Sequence, residues 1–515
     1  MLKSIRLSAL ASATALFGLS ACTHLTDPEI ASFGDREAVT PSQSADSYYV
    51  SAAAAIQSKL EKRDVKPAKN VILFIGDGMG ISTITAARIY AGQQKGVDGE
   101  SYHLAMDSLP YSALSKTYSH DSQIADSAAT ATAMTTGVKV PGRTLGLTQD
   151  AKYGNCASAE ATGTDSLWEI AEEQGLATGI VSTARITHAT PAATYSESAS
   201  RNWEDNTEVE DGDCADIARQ LIEWDHGDGF EIVLGGGRQH LMPADVSDPE
   251  YPNKGGRRTD GRNLIEEWNE KSDAHVFVYD QAGFDAIDFA SDKHVMGLFE
   301  PSHMQYTLDR EEDGAGEPSI AQMTEAAITR LRQNDKGYLL MVEGGRVDHG
   351  HHGGNAARAL SDAVALDEAV AKALEMTSDE DTLILVTADH SHTMTISGYS
   401  QRNNPILGLS SYGFTPNTGA DGKPYTTLGY ANGPGAVCGE GDGDAEAGCA
   451  RSNLSKQDTT QKNFMQQATV PMASETHAGE DVALLAGGPG SNLVSGVMEE
   501  NEIFHVIGKS LGLLD

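Results

Sequence analysis

From Val71 onward, short apolar runs rich in β-branched residues alternate with stretches of helical periodicity, and few folds satisfy that alternation. Strands are predicted at 71–75, 113–118, 178–182, 231–234, 338–342 and 382–387, with helices at 81–91, 167–174, 217–224, 320–332 and 356–376 between them. Such a pattern describes an α/β protein with a large central, mostly parallel sheet flanked by helices, because parallel strands need crossover connections. Carboxylates follow closely on three of the predicted strands: Asp77, Glu343 and Asp389. In open α/β sheets ligands bind beyond the carboxyl ends of the strands, so these three separated acids are candidates for one site.

At 515 residues the chain exceeds the ~150 residues of a common domain, and one large unit with an insertion is expected. The insertion is placed at 393–468, where the texture turns to Gly, Asn, Ser and Tyr; the core then covers 46–392 and resumes at 469–515. With 37 basic and 74 acidic side chains the net charge is −37, which repels the polyanionic backbone that a nucleic-acid binder must neutralise. Nucleic acid is therefore excluded as a structural partner. The acidic excess suits hard cations and equally suits simple solubility.

Lys3 and Arg6 precede the apolar stretch 7–19 and then Leu19-Ser20-Ala21-Cys22, the layout of an export signal at 1–21. The small residues before Cys22 resemble a bacterial lipoprotein signal, which makes Cys22 a lipidated N-terminus and 22–45 a flexible tether. Export to the periplasm or cell surface is expected, with the lipid on Cys22 as the one membrane contact. Residues 46–63 read as an amphipathic helix. Cys156, Cys214, Cys438 and Cys449 form an even set in an oxidising compartment; of three connectivities, Cys156 with Cys214 and Cys438 with Cys449 is the one expected.

His and Asp concentrate in EGGRVDHGHH at 343–352, TADHSH at 387–392 and ETHAGED at 475–481. Imidazole and carboxylate are the ligands zinc takes, and Asp348 and His352 are one helical turn apart. A second signal is ADSAATATAMTTG, in which Ser127 opens a predicted helix whose small neighbours allow close backbone approach. Backbone N–H groups at a helix start attract phosphate. A serine alkoxide needs a base or a metal, and no GxSxG elbow surrounds Ser127, so metal activation is the better reading.

These segments, with IGDGMG at 75–80 and THATPA at 187–192, occur in the order found in the alkaline phosphatase family, and the chain resembles that family from about residue 46 to its end. His188 and His349 make the resemblance closer to the animal, four-metal branch than to the enterobacterial one. The resemblance implies broad-specificity hydrolysis of phosphate monoesters through a phosphoserine on Ser127, with Arg201 clamping the phosphate. It implies one zinc on Asp348, His352 and His477, a second on Asp77, Asp389 and His390, and a magnesium on Asp77, Thr190 and Glu343. His188, His349 and His392 are then expected to orient ligands from behind, His188 acting through water. A calcium position is implied at Glu250, the backbone of Phe299, Glu300 and Glu317, the last standing where relatives carry Asp. Cys156 and Cys214 match a disulfide of animal relatives, 46–63 matches their N-terminal arm helix, and 393–468 lies where they carry a crown at a dimer interface, so a homodimer is expected.

Two rival enzymes of related build are disfavoured. A sulfatase needs its nucleophile in a CxPxR-like context, which IADSAAT lacks, and diesterase relatives carry Thr as nucleophile with no counterpart of Arg201. A cation-binding surface lipoprotein without catalysis would need neither Ser127 nor Arg201.

Overall fold

The computed structural model describes residues 36–209, 214–436 and 451–514. The expected export signal, Cys22, Cys438 and Cys449 lie outside the described residues; Cys156 and Cys214 are joined as expected.

A ten-stranded sheet organises the chain. In chain order its strands are β1 (Asn70–Ile75), β2 (Tyr111–Lys116), β3 (Ala177–Arg185), β4 (Ile232–Gly236), β5 (His275–Val278), β6 (His294–Leu298), β7 (Tyr338–Glu343), β8 (Thr382–Thr387), β9 (Val482–Gly487) and β10 (Gly496–Glu499). The spatial order is β10-β2-β9-β8-β1-β7-β3-β4-β6-β5. Every neighbouring pair is parallel except those made by β9, which runs against both β8 and β2. All six predicted strands are present, and four were missed: β5, β6, β9 and β10. β5 and β10 are short edge strands of four residues, where half-exposed positions blur the apolar pattern.

β1, β7 and β8 are buried at every position, as continuous apolar runs such as VILFI require when both sheet faces are covered. Helix Ala356–Met376 lies on one face with Ile81–Gln94 and Ile320–Leu331 against it; its buried Ala357, Ala363, Ala369 and Ala373 keep the approach close. Asn355 caps that helix, accepting from Arg358 N–H at 3.0 Å, and Ser319 with Gln322 forms a capping box for Ile320–Leu331. These caps explain why the helix starts were legible in the sequence.

The amphipathic N-terminal helix is Ser47–Leu60, and it buries Tyr49, Ala52 and Ile56 on the chain's own last helix, Glu502–Leu511. Tyr49 meets His505 with ring centroids 4.5 Å apart, and Lys59 pairs with Glu502 at 3.2 Å. Within the expected insertion, Leu428–Gly433 pairs antiparallel with Met394–Ile396 and parallel with Ala468–Pro471, beside a hairpin of Ser411–Tyr412 with Thr415–Pro416.

Candidate active site

Four sheet neighbours, β8, β1, β7 and β3, deliver polar groups just past their carboxyl ends. Asp389 and His390 follow β8, Asp77 follows β1, Glu343 closes β7, and His188 with Thr190 follows β3. Strand spacing of ~4.8 Å makes this a compact row. β7 also feeds helix Arg346–His352, which carries Asp348 and His352 on one side, His352 Nε2 being 3.2 Å from Asp348 Oδ1. The antiparallel run of β9 matters here: its start lies at the carboxyl edge of the parallel strands, so His477, just before it, arrives at the same row. Ser127 opens helix Ser127–Thr136 after β2, on the far side of β9.

Three groups of metal-ligand type result. Asp348, His352, His392 and His477 offer ligand atoms within 4.8 Å of one another, as do Asp77, Asp348 and His390, and Asp77, His188 and Glu343. Every zinc-type residue expected from the sequence falls in or against these groups, Asp389 lying 3.3 Å from His390 Nε2. The ring nitrogens are oriented from behind. His352 Nδ1 meets the Glu475 carbonyl at 2.6 Å and His477 Nδ1 the Ala125 carbonyl at 2.8 Å, which turns both Nε2 atoms inward. Ser127 Oγ is 3.1 Å from His390 Nε2 and is 2% exposed.

His392, itself in the group with Asp348, His352 and His477, is paired at both ring nitrogens. Its Nε2 is 2.8 Å from Asp348 Oδ1, and its Nδ1 contacts the carboxylate of Glu475. Burial alone would lower its pKa, but the hydrogen bonds to Asp348 and Glu475 outweigh it and raise the ring to about 9. His392 thus sits buried between two carboxylates that favour its protonated form. Burial would raise Asp348, yet the His392 and His477 hydrogen bonds hold it well below its usual range. Gly78 has φ +67°, and a Cβ there would sit 2.3 Å from the His392 ring, so only glycine admits that ring.

The electrostatics of this row demand cations. Asp77 is wholly buried, neither carboxylate oxygen finds a hydrogen-bond partner among the described residues, and burial together with Asp389, Asp348 and Glu343 drives its pKa well above normal. Glu343 also keeps one oxygen unpartnered and is pushed up to about 7, by burial first, against the pull of the Ser182 hydroxyl. Burying uncompensated carboxylates costs several kcal/mol each in practice. Divalent ions between them remove that cost, and the mixed imidazole and carboxylate donor set fits zinc.

A ring nitrogen of His188 lies within 4.8 Å of carboxylate oxygens of Asp77 and Glu343, beside the expected magnesium position. His349 sits further out; its ring meets His303 at 4.0 Å and His188 at 5.6 Å. Thr190 is fully buried beside Glu343. Arg201 is held at both ends of its fork, by Asp126 Oδ2 at 3.0 Å and by His188 Nε2 at 3.0 Å.

Farther along the sheet edge, Glu250 and Glu300 converge as expected, but the third carboxylate within 4.8 Å is Asp313. Both oxygens of Glu317 accept from Gln305 N–H, at 3.0 and 3.2 Å, whereas Asp313 Oδ2 has no partner among the described residues. Asp205, Glu208 and His240 also cluster, but Arg257 already pairs with both acids there. Glu475, His303 and Asp313 were not singled out from the sequence. Glu475 stands at the head of ETHAGED, where its position beside His477 was the available signal.

The family model described as alkaline phosphatase matches residues 68–513. The chain belongs to the alkaline phosphatase family. It is 43% identical to the tissue-nonspecific alkaline phosphatase isozyme of Gallus gallus over 459 residues, 87% of this chain and 85% of that protein. Against the alkaline phosphatase of Gadus morhua the identity is 41%, covering 87% of this chain and 92% of that one. Among solved structures, the alkaline phosphatase of Thermus thermophilus superposes with a TM-score of 0.62 at 26% identity, over 87% of this chain and 92% of that one. The enzyme is thus a metal-dependent hydrolase of phosphate monoesters, of the animal-type branch.

Proposed function

We propose that hydrolysis proceeds through Ser127, whose Oγ attacks the phosphorus, releases the alcohol and leaves a phosphoserine that water then cleaves. The observation that carries this reading is the seat of Ser127 Oγ, 3.1 Å from His390 Nε2 at the first residue of a buried helix. Backbone N–H groups of that first turn face the incoming phosphoryl oxygens, where the helix dipole favours negative charge. Arg201 presents its guanidinium fork to two non-bridging oxygens, a pairing that Lys cannot reproduce. Asp126 and His188 fix that fork, so little ordering is left for the substrate to do.

Zinc held by Asp348, His352 and His477 and by Asp77, Asp389 and His390 would lower the pKa of the attacking oxygen and stabilise the departing one. His392 and Glu475 keep Asp348 in place for that ligation, and Gly78 N–H does the same for Asp389 at 3.0 Å. Magnesium suits Asp77, Glu343 and Thr190, and calcium suits Glu250, Glu300 and the backbone near Phe299, with oxygen ligands in both. A homodimer is favoured by the aromatic side chains that the 393–468 segment leaves in solvent, Tyr399 and Phe414 among them. The export-type N-terminus supports work outside the cytoplasm, tethered through Cys22.

Acid quenching during turnover and mass spectrometry of the peptide carrying Ser127 tests the mechanism. A phosphate on Ser127 and loss of turnover in Ser127→Ala with metals retained are expected; wild-type turnover in that variant would refute it.

A further inference from the structure

His351 lies between Asp348 and His352 on helix Arg346–His352, yet it belongs to no group of metal-ligand type among the described residues. It is closed from solvent, and hydroxyls from two separate parts of the fold take its ring nitrogens. Nε2 is 3.0 Å from Thr83 Oγ1 on helix Ile81–Gln94, and Nδ1 is 2.8 Å from the Tyr430 hydroxyl on the insertion strand Leu428–Gly433. A neutral imidazole has one donor and one acceptor, and two hydroxyls satisfy either tautomer. So fixed, the ring lies on a face of His392, with centroids 4.8 Å apart and planes 29° from parallel. Asp348 and Glu475 grip His392 at its edges; His351 closes off one face.

The residues after Tyr430 reach the same position by other routes. The Ala431 N–H donates to the Thr393 carbonyl at 3.3 Å, and the Thr393 N–H donates in turn to Glu475. Asn432 exchanges two hydrogen bonds of 2.9 Å with Thr476, the residue before His477. Three consecutive residues of one insertion strand thus brace three separate supports of Asp348 and His477. Thr83 and Tyr430 are as buried as the ring between them, so bulk water does not replace a lost hydroxyl there.

We infer that His351 is a positioning residue through which Tyr430 and Thr83 tie the first zinc position to the insertion and to helix Ile81–Gln94, so that affinity for this zinc is set in part from the insertion. A ring held by one hydroxyl instead of two can turn, and His392 then loses the face that keeps it aligned on Asp348. This rests on the proposed zinc at Asp348, His352 and His477.

The test measures zinc dissociation constants by competition with a chromophoric chelator in the wild-type enzyme, Tyr430→Phe and Thr83→Val, with kcat at saturating zinc alongside. Both substitutions remove a hydroxyl and keep the bulk around it. Each should weaken one bound zinc about fivefold, as loss of one neutral hydrogen bond implies, and leave kcat at saturating zinc within about twofold. Thr459→Val is the control: its buried hydroxyl bonds the Leu407 carbonyl at 2.9 Å inside the insertion, away from this ring, and its loss should leave zinc affinity unchanged. Unshifted affinity in both Tyr430→Phe and Thr83→Val overturns the proposal, as does an equal loss in Thr459→Val, which would reduce the effect to a loosened insertion. Wild-type metal content keeps the underlying reading apart: fewer than two zinc per chain would refute the zinc assignment itself, whatever the variants do.

Discussion

Replacing Glu475 by Gln should loosen the first zinc position without touching any of its ligands. Glu475 is 1% exposed, and its carboxylate accepts from three donors: His392 Nδ1, Thr393 N–H at 2.6 Å and Thr393 Oγ1 at 2.6 Å. An amide has one acceptor end, so whichever way it turns, its NH2 opposes either His392 or the Thr393 donors. His392 then loses one of the two carboxylates that favour its protonated form, and its hold on Asp348 weakens. A hydrogen bond to a charged group contributes ~1.5–3 kcal/mol. At ~1.4 kcal/mol per decade that is a loss of about ten- to hundredfold in zinc affinity, the range also seen for outer partners of metal ligands. Zinc release to a chromophoric chelator measures it, with Thr393→Val, which leaves His392 paired, as the control expected within about threefold. A zinc dissociation constant unchanged in Glu475→Gln would refute the argument that Glu475 holds Asp348 through His392.

Three further outcomes are expected. Gly78→Ala should abolish turnover, because its Cβ meets the His392 ring at 2.3 Å, whereas Gly154→Ala, at φ +71° with nothing within 4 Å, should cost only about 1–2 kcal/mol of stability; phosphatase assays and denaturant melts separate the two. Buried Glu172 and Glu231 are raised to about 9 and about 8, by burial first, above the usual 4.5, so the folded state binds protons that the unfolded state releases. Their contribution to stability should be fully present below pH ~4.5 and be lost as pH rises through about 8–9, and melts of the Glu172→Gln, Glu231→Gln double variant should show a flatter pH dependence in the alkaline range. Finally, calcium should raise the melting temperature of the wild-type enzyme and have no such effect on Asp313→Asn, if Asp313 completes the site of Glu250 and Glu300; an equal rise in the variant would exclude it.

The strands that carry the site were legible because β1, β7 and β8 are buried on both faces and therefore read as unbroken apolar runs ending in acids. β9 was not, although it follows ETHAGED directly, because its burial alternates and its antiparallel direction leaves no mark on a sequence. Yet that direction is what returns His477 to the edge occupied by Asp77 and Asp389.

Local chemistry was written in the chain: Asp348 and His352 share a helical face because they are one turn apart, and Ser127 begins a helix because small residues follow it. Tertiary structure alone decided that Glu475 grips His392 across 83 residues, that Asp313 rather than Glu317 lies nearest Glu250 and Glu300, and that Tyr430 meets His351. The reason is physical: periodicity and capping act over one or two turns, whereas charge pairing and ligation act over ångströms between segments whose order along the chain carries no distance.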